Sequence, residues 1–388
     1  MRLFIVCAVA ALVSLLQPSL AGAEDDAPNP AEEDPWAVEK ACHAGNATAC
    51  YHVGLVYETG LCCDEDDDEY FPRLLGRAAD LYRKACDGGE PRGCMELGIL
   101  HTRGLAVAKS DAAAAMLYGQ ACDAGVLEAC RYSGIDYSEG RGVDADKARA
   151  AGLFARACDG GYAPACGNLG LAVEKGEGVK ADGARAAKLY GAACEAGDAT
   201  ACLELGRLYY EGKAVPLDKA KASQYFSLAC KGFVSAACVR LGIQYANGDG
   251  IAKDGAAASK LLTHPCMMGS EPAACGPLGR IHHSGDGVPR DPGKSATIFK
   301  RGCDKGDAYS CYGLAMKAQA GDGVVKNPAG AADVFRQLCD GGYALGCSAL
   351  AAQMEAGDGI EKDVAAANAL RIKACKAGDS TACAGSGD

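Results

Sequence analysis

Residues 194–230 read CEAGDATACLELGRLYYEGKAVPLDKAKASQYFSLAC, and this stretch decides the fold. It runs from Cys194, which is followed eight residues later by Cys202, to Cys230, which is followed eight residues later by Cys238. Twenty of the 23 cysteines form ten pairs, nine with this spacing of eight residues and one with a spacing of nine, and from residue 86 to residue 230 each pair begins 36 residues after the one before. A fixed period of this length is typical of a solenoid of stacked supersecondary units.

Apolar residues at helical spacing predict two helices within the repeat. The first ends before Gly212 and the second begins after Asp218. Aspartate is a good N-cap, and glycine supplies the left-handed conformation that ends a helix. Each unit is therefore predicted to be an αα-hairpin. We expect an all-α solenoid of about nine hairpins between Ala47 and Cys375, preceded by a half helix (Pro35–Cys42) and followed by a stub (Ser380–Ala384).

Two further columns of the repeat predict close helix packing. Four residues after the second cysteine stands a small residue: Gly54, Gly98, Gly134, Gly170, Gly206, Gly242, Gly279, Ala315 and Ala351. Four residues before the first cysteine stands a bulky residue: Tyr82, Tyr118, Phe154, Tyr190, Phe226, Leu262, Phe299 and Phe335. A glycine inside a helix costs about 1 kcal/mol relative to alanine. Its recurrence predicts that a neighbour passes too closely for a Cβ atom, and the bulky column is predicted to be core.

The cysteines allow two periodic pairings, because antiparallel helices bring both sets of ends together. Cysteines 28 apart within one hairpin could pair, but Cys42 and Cys383 would then have no partner. Pairing of the nearest cysteines uses all twenty, so we expect this pairing. Structural zinc sites favour closer C-x₂₋₄-C spacing with four ligands together, so no metal is expected. The expected disulfides are Cys42–Cys50, Cys86–Cys94, Cys122–Cys130, Cys158–Cys166, Cys194–Cys202, Cys230–Cys238, Cys266–Cys275, Cys303–Cys311, Cys339–Cys347 and Cys375–Cys383.

The N-terminus predicts export, which agrees with the cysteine content. An apolar run at residues 3–16 precedes Ala21-Gly22-Ala23, which is typical of a signal peptide cleaved after Ala23. We expect a signal peptide at 1–23, an acidic Pro-rich leader at 24–35, the solenoid at 36–384, a tail at 385–388 and a secreted or periplasmic protein. The net charge of −11 opposes binding to nucleic acid. No later segment is apolar enough to span a membrane.

The first repeat contains an eight-residue insertion with Cys62 and Cys63 beside the acidic run 64–69. These two cysteines could form a vicinal disulfide, pair with another molecule or remain free thiols. The acidic run lacks the spaced ligands and central glycine of an EF-hand loop, so we expect a solvated loop.

The repeat resembles the Sel1-like family, most clearly at Ala201–Glu211 and Ala129–Arg149. With a cysteine pair in every unit it is similar to the cysteine-rich secreted branch, the Helicobacter cysteine-rich protein type. The resemblance covers residues 36–384 and implies a right-handed α-solenoid with disulfides eight residues apart. It also implies a role in binding proteins or peptides. Because some members carry a β-lactamase or penicillin-binding label, a weak β-lactam hydrolase is the alternative function.

Catalytic motifs give that alternative little support. The sequence has no S-x-x-K, K-T-G, G-x-S-x-G or H-E-x-x-H. Tyr245-Ala246-Asn247 matches Y-x-N, but Tyr245 falls in a tyrosine column that also contains His101 and His282, so core packing explains it better. Adjacent His282 and His283 point about 100° apart on a helix and chelate poorly, even with Asp286 nearby. We expect no catalytic residue, no cofactor and no metal site.

The Gly-Asp-Gly turns resemble phosphate or calcium loops, yet turn geometry is a sufficient reason for them. The main hypothesis is a monomeric repeat scaffold that binds proteins, peptides or cell-wall fragments on a concave surface. First helices usually line that surface in such arrays. The alternatives are the hydrolase acting on β-lactams or peptidoglycan stems, and a structural spacer of the envelope.

Overall fold

The computed structural model describes residues 35–59 and 70–383. Within these residues all regular secondary structure is helical. The chain divides into two compact units, the first ending at Ala193 and the second beginning at Cys194. The predicted signal peptide, most of the leader, the Cys62-Cys63 insertion and the C-terminal tail lie outside the described residues.

The first unit contains the half helix and four hairpins, and the chain leaves it near the end of the ninth helix. Its helices are α1 Pro35–His43, α2 Ala47–Thr59, α3 Tyr70–Asp87, α4 Pro91–Arg103, α5 Asp111–Asp123, α6 Leu127–Glu139, α7 Lys147–Asp159, α8 Ala163–Lys175 and α9 Gly183–Glu195. Even-numbered helices from α2 to α18 are the first helices of the hairpins, and odd-numbered helices from α3 to α19 are the second helices.

The second unit continues the same alternation. Its helices are α10 Ala199–Glu211, α11 Lys219–Lys231, α12 Ser235–Asn247, α13 Gly255–Met268, α14 Cys275–Ser284, α15 Pro292–Asp304, α16 Ala308–Ala320, α17 Pro328–Asp340, α18 Ala344–Ala356, α19 Val364–Lys376 and the short α20 Ser380–Cys383. A 3₁₀ turn, Pro272–Ala274, precedes α14. The predicted solenoid of hairpins, with a half helix before it and a stub after it, is confirmed.

Helix ends follow the capping residues of the sequence. The Asp218 side chain accepts a hydrogen bond from the Lys221 backbone N–H at 2.8 Å and so begins α11. Gly212 ends α10 with φ 66°, and its N–H donates to the Leu208 carbonyl. The Asp218 N–H also donates to the Tyr209 carbonyl at 2.9 Å, which closes the hairpin. These bonds satisfy backbone groups that helix ends would otherwise leave unpaired.

The bulky column packs directly on the glycine column of the same hairpin. A Cβ added to Gly134 would lie 2.6 Å from a ring carbon of Phe154, and one added to Gly206 would lie 2.7 Å from Phe226. Phe226 is 1 % exposed. The predicted close approach is therefore confirmed, and its cause is an aromatic ring seated on bare helix backbone.

Disulfides join each second helix to the first helix that follows it. The joined pairs are those at residues 42 and 50, 86 and 94, 122 and 130, 158 and 166, 194 and 202, 230 and 238, 266 and 275, 303 and 311, 339 and 347, and 375 and 383. We call these bonds staples. Each closes a loop of about nine residues, which contributes about 2.6 kcal/mol in the chain-entropy account.

The unit around residues 261–290 departs from the pattern of the other repeats. Pro265 lies inside α13, the staple spans nine residues, and α14 has ten residues where the other first helices have thirteen. The 3₁₀ turn Pro272–Ala274 stands where the other first helices have their first α-helical turn. No helix within the described residues combines the length and apolar character that crossing a membrane requires.

Candidate functional site

The glycine-rich turns that end the first helices are structural elements of the repeat. In the turn after α8, Gly176 and Gly178 both have positive φ, 73° and 72°. A Cβ on Gly178 would lie 2.0 Å from the Lys147 carbonyl oxygen at the start of α7 in the preceding hairpin. The second glycine therefore seats one repeat on the next. The sequence prediction explained the first glycine and missed this role, although the Gly-x-Gly pattern recurs at six turns.

In three of the Gly-Asp-Gly turns the aspartate is held in an ion pair, whereas Asp358 accepts a hydrogen bond from the Gln319 amide. Asp249 accepts hydrogen bonds from Lys219 Nζ and Tyr210 Oη, both at 2.8 Å. The hydrogen bond from Lys219 holds the pKa of Asp249 below its usual value. Asp286 lies 2.6 Å from Lys253 Nζ. These aspartates neutralise the lysines of the preceding hairpin, so turn geometry and inter-repeat packing account for the turns that resemble anion or calcium loops.

The residues considered for chemistry have structural environments. Tyr245 is half-buried, and its carbonyl accepts the Asp254 N–H at 2.9 Å. His282 is buried, which lowers its pKa, and its Nδ1 has no hydrogen-bond partner among the residues that the structure describes. His283 Nδ1 lies 3.0 Å from Asp322 Oδ2, whereas Asp286 pairs with Lys253. Within residues 35–59 and 70–383 no cluster of three or more His, Cys, Asp or Glu side chains could hold a metal ion.

An acidic and aromatic surface lies on the first helices of the first unit. Tyr132 Oη donates to Glu128 at 3.3 Å, and its ring stacks on Tyr118 with the ring centroids 5.1 Å apart. Glu96 on α4 is half-buried. Burial, followed by the charges of Glu58 and Glu128, raises the pKa of Glu96 to about 7. We call Glu58, Glu96, Glu128 and Tyr132, all on first helices, the tyrosine–glutamate surface; the Tyr118 ring that stacks on Tyr132 belongs to α5 and is buried.

A cavity of about 380 Å³ lies in the second unit between α14, α15 and α16. We call it the basic cavity. Its apolar wall contains Phe299, Tyr309, Tyr312 and Met316. Tyr309 and Met316 remain 36 % and 41 % exposed, so an apolar group that entered the cavity would find uncovered surface. The Tyr312 ring is fixed from behind by Phe335, with the ring centroids 5.8 Å apart.

Two glycines make room for this wall. A Cβ on Gly276 would lie 2.3 Å from Tyr309, and one on Gly313 would lie 2.5 Å from Phe299. At the position of Gly313, two residues after the second cysteine, the first six hairpins carry a larger side chain: His52, Glu96, Tyr132, Asn168, Glu204 and Arg240. The cavity therefore lies where Gly313 replaces the larger side chain that earlier repeats carry at this position.

Cationic side chains also line the basic cavity. Lys317 is a buried lysine, 4 % exposed, whose Nζ lies 2.8 Å from Asp322 Oδ2 and 3.2 Å from His283 Nδ1. Arg290 Nη2 lies 3.3 Å from Asp322 Oδ1, and Arg280 donates to Asn247 at 2.7 Å. The hydrogen bond from Lys317, with the nearby His283 and Arg290, holds the pKa of Asp322 below its usual value.

The Asp322 carboxylate is thus the single acidic group among several cationic groups that line the cavity. Arg280, Arg290 and Lys317 carry three positive charges against the single negative charge of Asp322, which leaves two in excess when His283 is neutral. The sequence prediction expected contact residues on first helices but named none. The sequence does contain a signal of the cavity that the prediction missed. Two residues after the second cysteine, three successive hairpins carry Pro277, Gly313 and Ala349.

Comparisons with known proteins agree with this architecture. The model of the Sel1 repeat matches nine consecutive segments, residues 47–90, 91–126, 127–162, 163–198, 199–232, 235–263, 272–307, 308–343 and 344–379. A search of curated proteins gave no match.

Solved structures that are similar to this chain include the following two. The first is a protective antigen present in uropathogenic Escherichia coli strains that displays an SLR fold. It is 24 % identical, with a TM-score of 0.70 over 89 % of this chain and 80 % of that one, a likeness that shows the fold alone. The second is a Sel1 repeat protein from Oxalobacter formigenes. It is 26 % identical, with a TM-score of 0.53 over 60 % of this chain and 98 % of that one.

Proposed function

Because this chain belongs to the Sel1 repeat family, we propose that it is a scaffold that binds a protein or peptide through the exposed faces of its first helices. The observation that carries the proposal is the basic cavity, where first helices of adjacent hairpins leave apolar and cationic groups uncovered. Aromatic, Met and Arg side chains are enriched at protein interfaces. In the first unit the half-buried Tyr132, on the first helix α6, is a further aromatic side chain of this kind.

We further propose that the protein works in an oxidising compartment outside the cytoplasm. Ten disulfides support this location, since such bonds are rare where glutathione keeps thiols reduced. Signal-peptide cleavage after Ala23 and export to the periplasm or beyond belong to the same proposal. N-terminal sequencing of the exported protein tests it, and a mature chain that begins at a residue other than Glu24 would contradict the cleavage site.

The experiment for the scaffold is quantitative partner capture from an envelope extract on the oxidised protein. Two variants with changes on first helices, Tyr132→Ala with Glu128→Ala and Tyr312→Ala with Met316→Ala, are compared with Arg83→Ala and Arg336→Ala on second helices. Arg83 and Arg336 are about half exposed and pair with an aspartate three residues away. We expect specific partners to be lost from at least one first-helix variant and retained by both controls. Equal capture by all proteins would overturn the proposal.

Peptidoglycan fragments, β-lactams and a role as an envelope spacer remain alternatives that the same sample tests. The oxidised protein is assayed for nitrocefin turnover and for binding of labelled penicillin. Turnover that persists through further purification and depends on intact disulfides would replace the scaffold proposal with the hydrolase. Folded protein without any partner or ligand would favour the spacer.

A further inference from the structure

We propose that the basic cavity binds an acidic peptide segment in which a carboxylate side chain lies next to an aromatic or large aliphatic side chain. The inference rests on the proposed scaffold function and specifies the partner chemistry at one of its surfaces. It starts from the composition of the cavity, whose lining is partly cationic and partly apolar. Arg280, Arg290 and Lys317 supply the cationic groups, and Tyr309, Tyr312 and Met316 supply the apolar surface, called the apolar wall above.

The charge of the cavity selects an anion. The whole chain carries a net charge of −11, yet the three cationic residues of the cavity face only Asp322 among its lining acids. The Lys317 ammonium is buried and paired with Asp322, so the excess positive charge of the cavity comes from Arg280 and Arg290. The Arg290 and Arg280 guanidinium groups lie nearer the rim, with Arg290 57 % exposed. A guanidinium offers paired donors that match the two oxygens of a carboxylate.

The apolar wall selects the neighbour of that carboxylate. A volume of about 380 Å³ is at the lower end for ligand pockets and admits one or two side chains. Met316 is unbranched and adapts to different shapes, whereas the Tyr309 ring is held against Gly276. A leucine or phenylalanine beside the carboxylate would bury this wall. A free phosphate or a purely acidic peptide would leave it exposed, so the paired chemistry is the discriminating feature.

The test measures fluorescence anisotropy of labelled peptides with the full-length oxidised protein. The probe is fluorescein-GSGDFELDGSG, and the controls are GSGKFKLKGSG, which reverses the charge, and GSGDAEADGSG, which removes the apolar side chains. We expect both controls to bind at least about tenfold more weakly than the probe, because each removes one half of the complementarity. Raising the salt concentration should weaken binding of the probe, since rim charges are screened.

Variants then locate the site. Arg280→Ala with Arg290→Ala, and separately Tyr309→Ala with Met316→Ala, should each lower affinity for the probe about tenfold. The matched controls Arg336→Ala and Val325→Ala, at exposed positions of the same unit, should change it less than twofold. Losses of equal size in the controls would overturn the inference, as would preferential binding of the lysine peptide by the wild type.

A reciprocal change separates loss of the site from loss of the fold. The variant Arg280→Glu with Arg290→Glu should bind GSGKFKLKGSG at least about tenfold more tightly than the wild type does, a gain that misfolding cannot produce. Failure to gain this binding in a folded variant would overturn the inference. If no probe binds while partner capture still depends on first helices, this inference fails and the proposed scaffold function stands.

Discussion

Phe233 takes a backbone conformation that glycine takes at the same place in the other repeats. Its φ is 63°, and its side chain is 95 % exposed. Three residues after the first cysteine, the remaining nine pairs all have a glycine with positive φ: Gly45, Gly89, Gly125, Gly161, Gly197, Gly269, Gly306, Gly342 and Gly378. A bulky residue in this region is strained, at about 1–2 kcal/mol.

We therefore expect Phe233→Gly to stabilise the protein. The exposed ring loses little packing, and removing the strain should outweigh the entropy that glycine adds to the unfolded chain, for a net gain of about 0.5–1 kcal/mol. Urea unfolding of the oxidised protein measures the change, with Phe233→Ala as the matched variant that keeps a Cβ atom. A gain from Phe233→Ala equal to that from Phe233→Gly would show that the ring, not the backbone, is responsible.

Glu96 makes stability depend on pH. Its pKa is raised from 4.5 to about 7, first by burial and then by Glu58 and Glu128. The folded state therefore binds this proton more tightly than the unfolded state does, and stability falls as pH rises from about 4.5 through 7. We expect Glu96→Gln to remove this fall and to be more stable than the wild type at pH 8, by up to about 3 kcal/mol at 1.36 kcal/mol per pKa unit.

Chemical denaturation of both proteins at pH 5 and pH 8 checks the Glu96 prediction. The exposed Glu361 provides the control substitution, Glu361→Gln. The wild type and Glu361→Gln should lose stability in parallel between the two pH values, whereas Glu96→Gln should lose less. Parallel losses in all three proteins would exclude Glu96 as the source.

At the scale of the element, the sequence specifies the hairpin well because its signals are local. The Asp218 cap, the Gly212 helix end and the apolar spacing act within a few residues, so the helix boundaries follow from them. The close contact of Gly178 with the Lys147 carbonyl at the start of α7 could not be deduced in the same way, because it depends on how two hairpins pack against each other. The basic cavity was missed for the same physical reason, since Gly276 and Gly313 lie on different first helices.

The second turn glycine predicts a contrast between two glycine substitutions in the first unit. A Cβ at Gly178 would lie 2.0 Å from the Lys147 carbonyl oxygen, and the φ of Gly178 is positive. A Cβ at Gly152, inside α7, would meet nothing within 4 Å. We expect Gly178→Ala to destabilise by more than 2 kcal/mol, because backbone must move. Gly152→Ala should stabilise by about 1 kcal/mol through helix propensity.

Thermal unfolding of the two alanine variants beside the wild type measures this contrast. Both substitutions add one methyl group and remove one glycine, so differences in the unfolded state largely cancel. The melting temperature should fall for Gly178→Ala and rise for Gly152→Ala. A tolerated alanine at Gly178 would mean that adjacent repeats are not held by this close contact.

At the scale of the whole molecule, the staples recur with the repeat, and their pairing is open to a direct chemical test. Mass spectrometry of a digest made without reduction should recover peptides that link cysteines eight or nine residues apart, such as Cys303 with Cys311. Peptides that link cysteines 28 apart, such as Cys202 with Cys230, would contradict the assignment. The same digest determines whether Cys62 and Cys63 are bonded to each other, to another molecule or to neither, a question that the sequence left open.

The repeat architecture also predicts that losing one staple has a local effect. Stability in such arrays is approximately a sum over repeats and their nearest-neighbour contacts. The staple of Cys375 and Cys383 holds the short α20 against α19. The staple of Cys303 and Cys311 instead joins α15 to α16 beside the basic cavity. We expect replacement of Cys375 and Cys383 by serine to increase amide hydrogen exchange in α19 and α20 while leaving exchange in α10 to α12 unchanged.

The equivalent double variant at Cys303 and Cys311 should increase exchange in the hairpins on both sides of its staple and weaken binding of the acidic peptide probe. Exchange that rises uniformly along the second unit in either variant would show that this unit unfolds as a single cooperative body, in which case the staples would stabilise the whole rather than each junction.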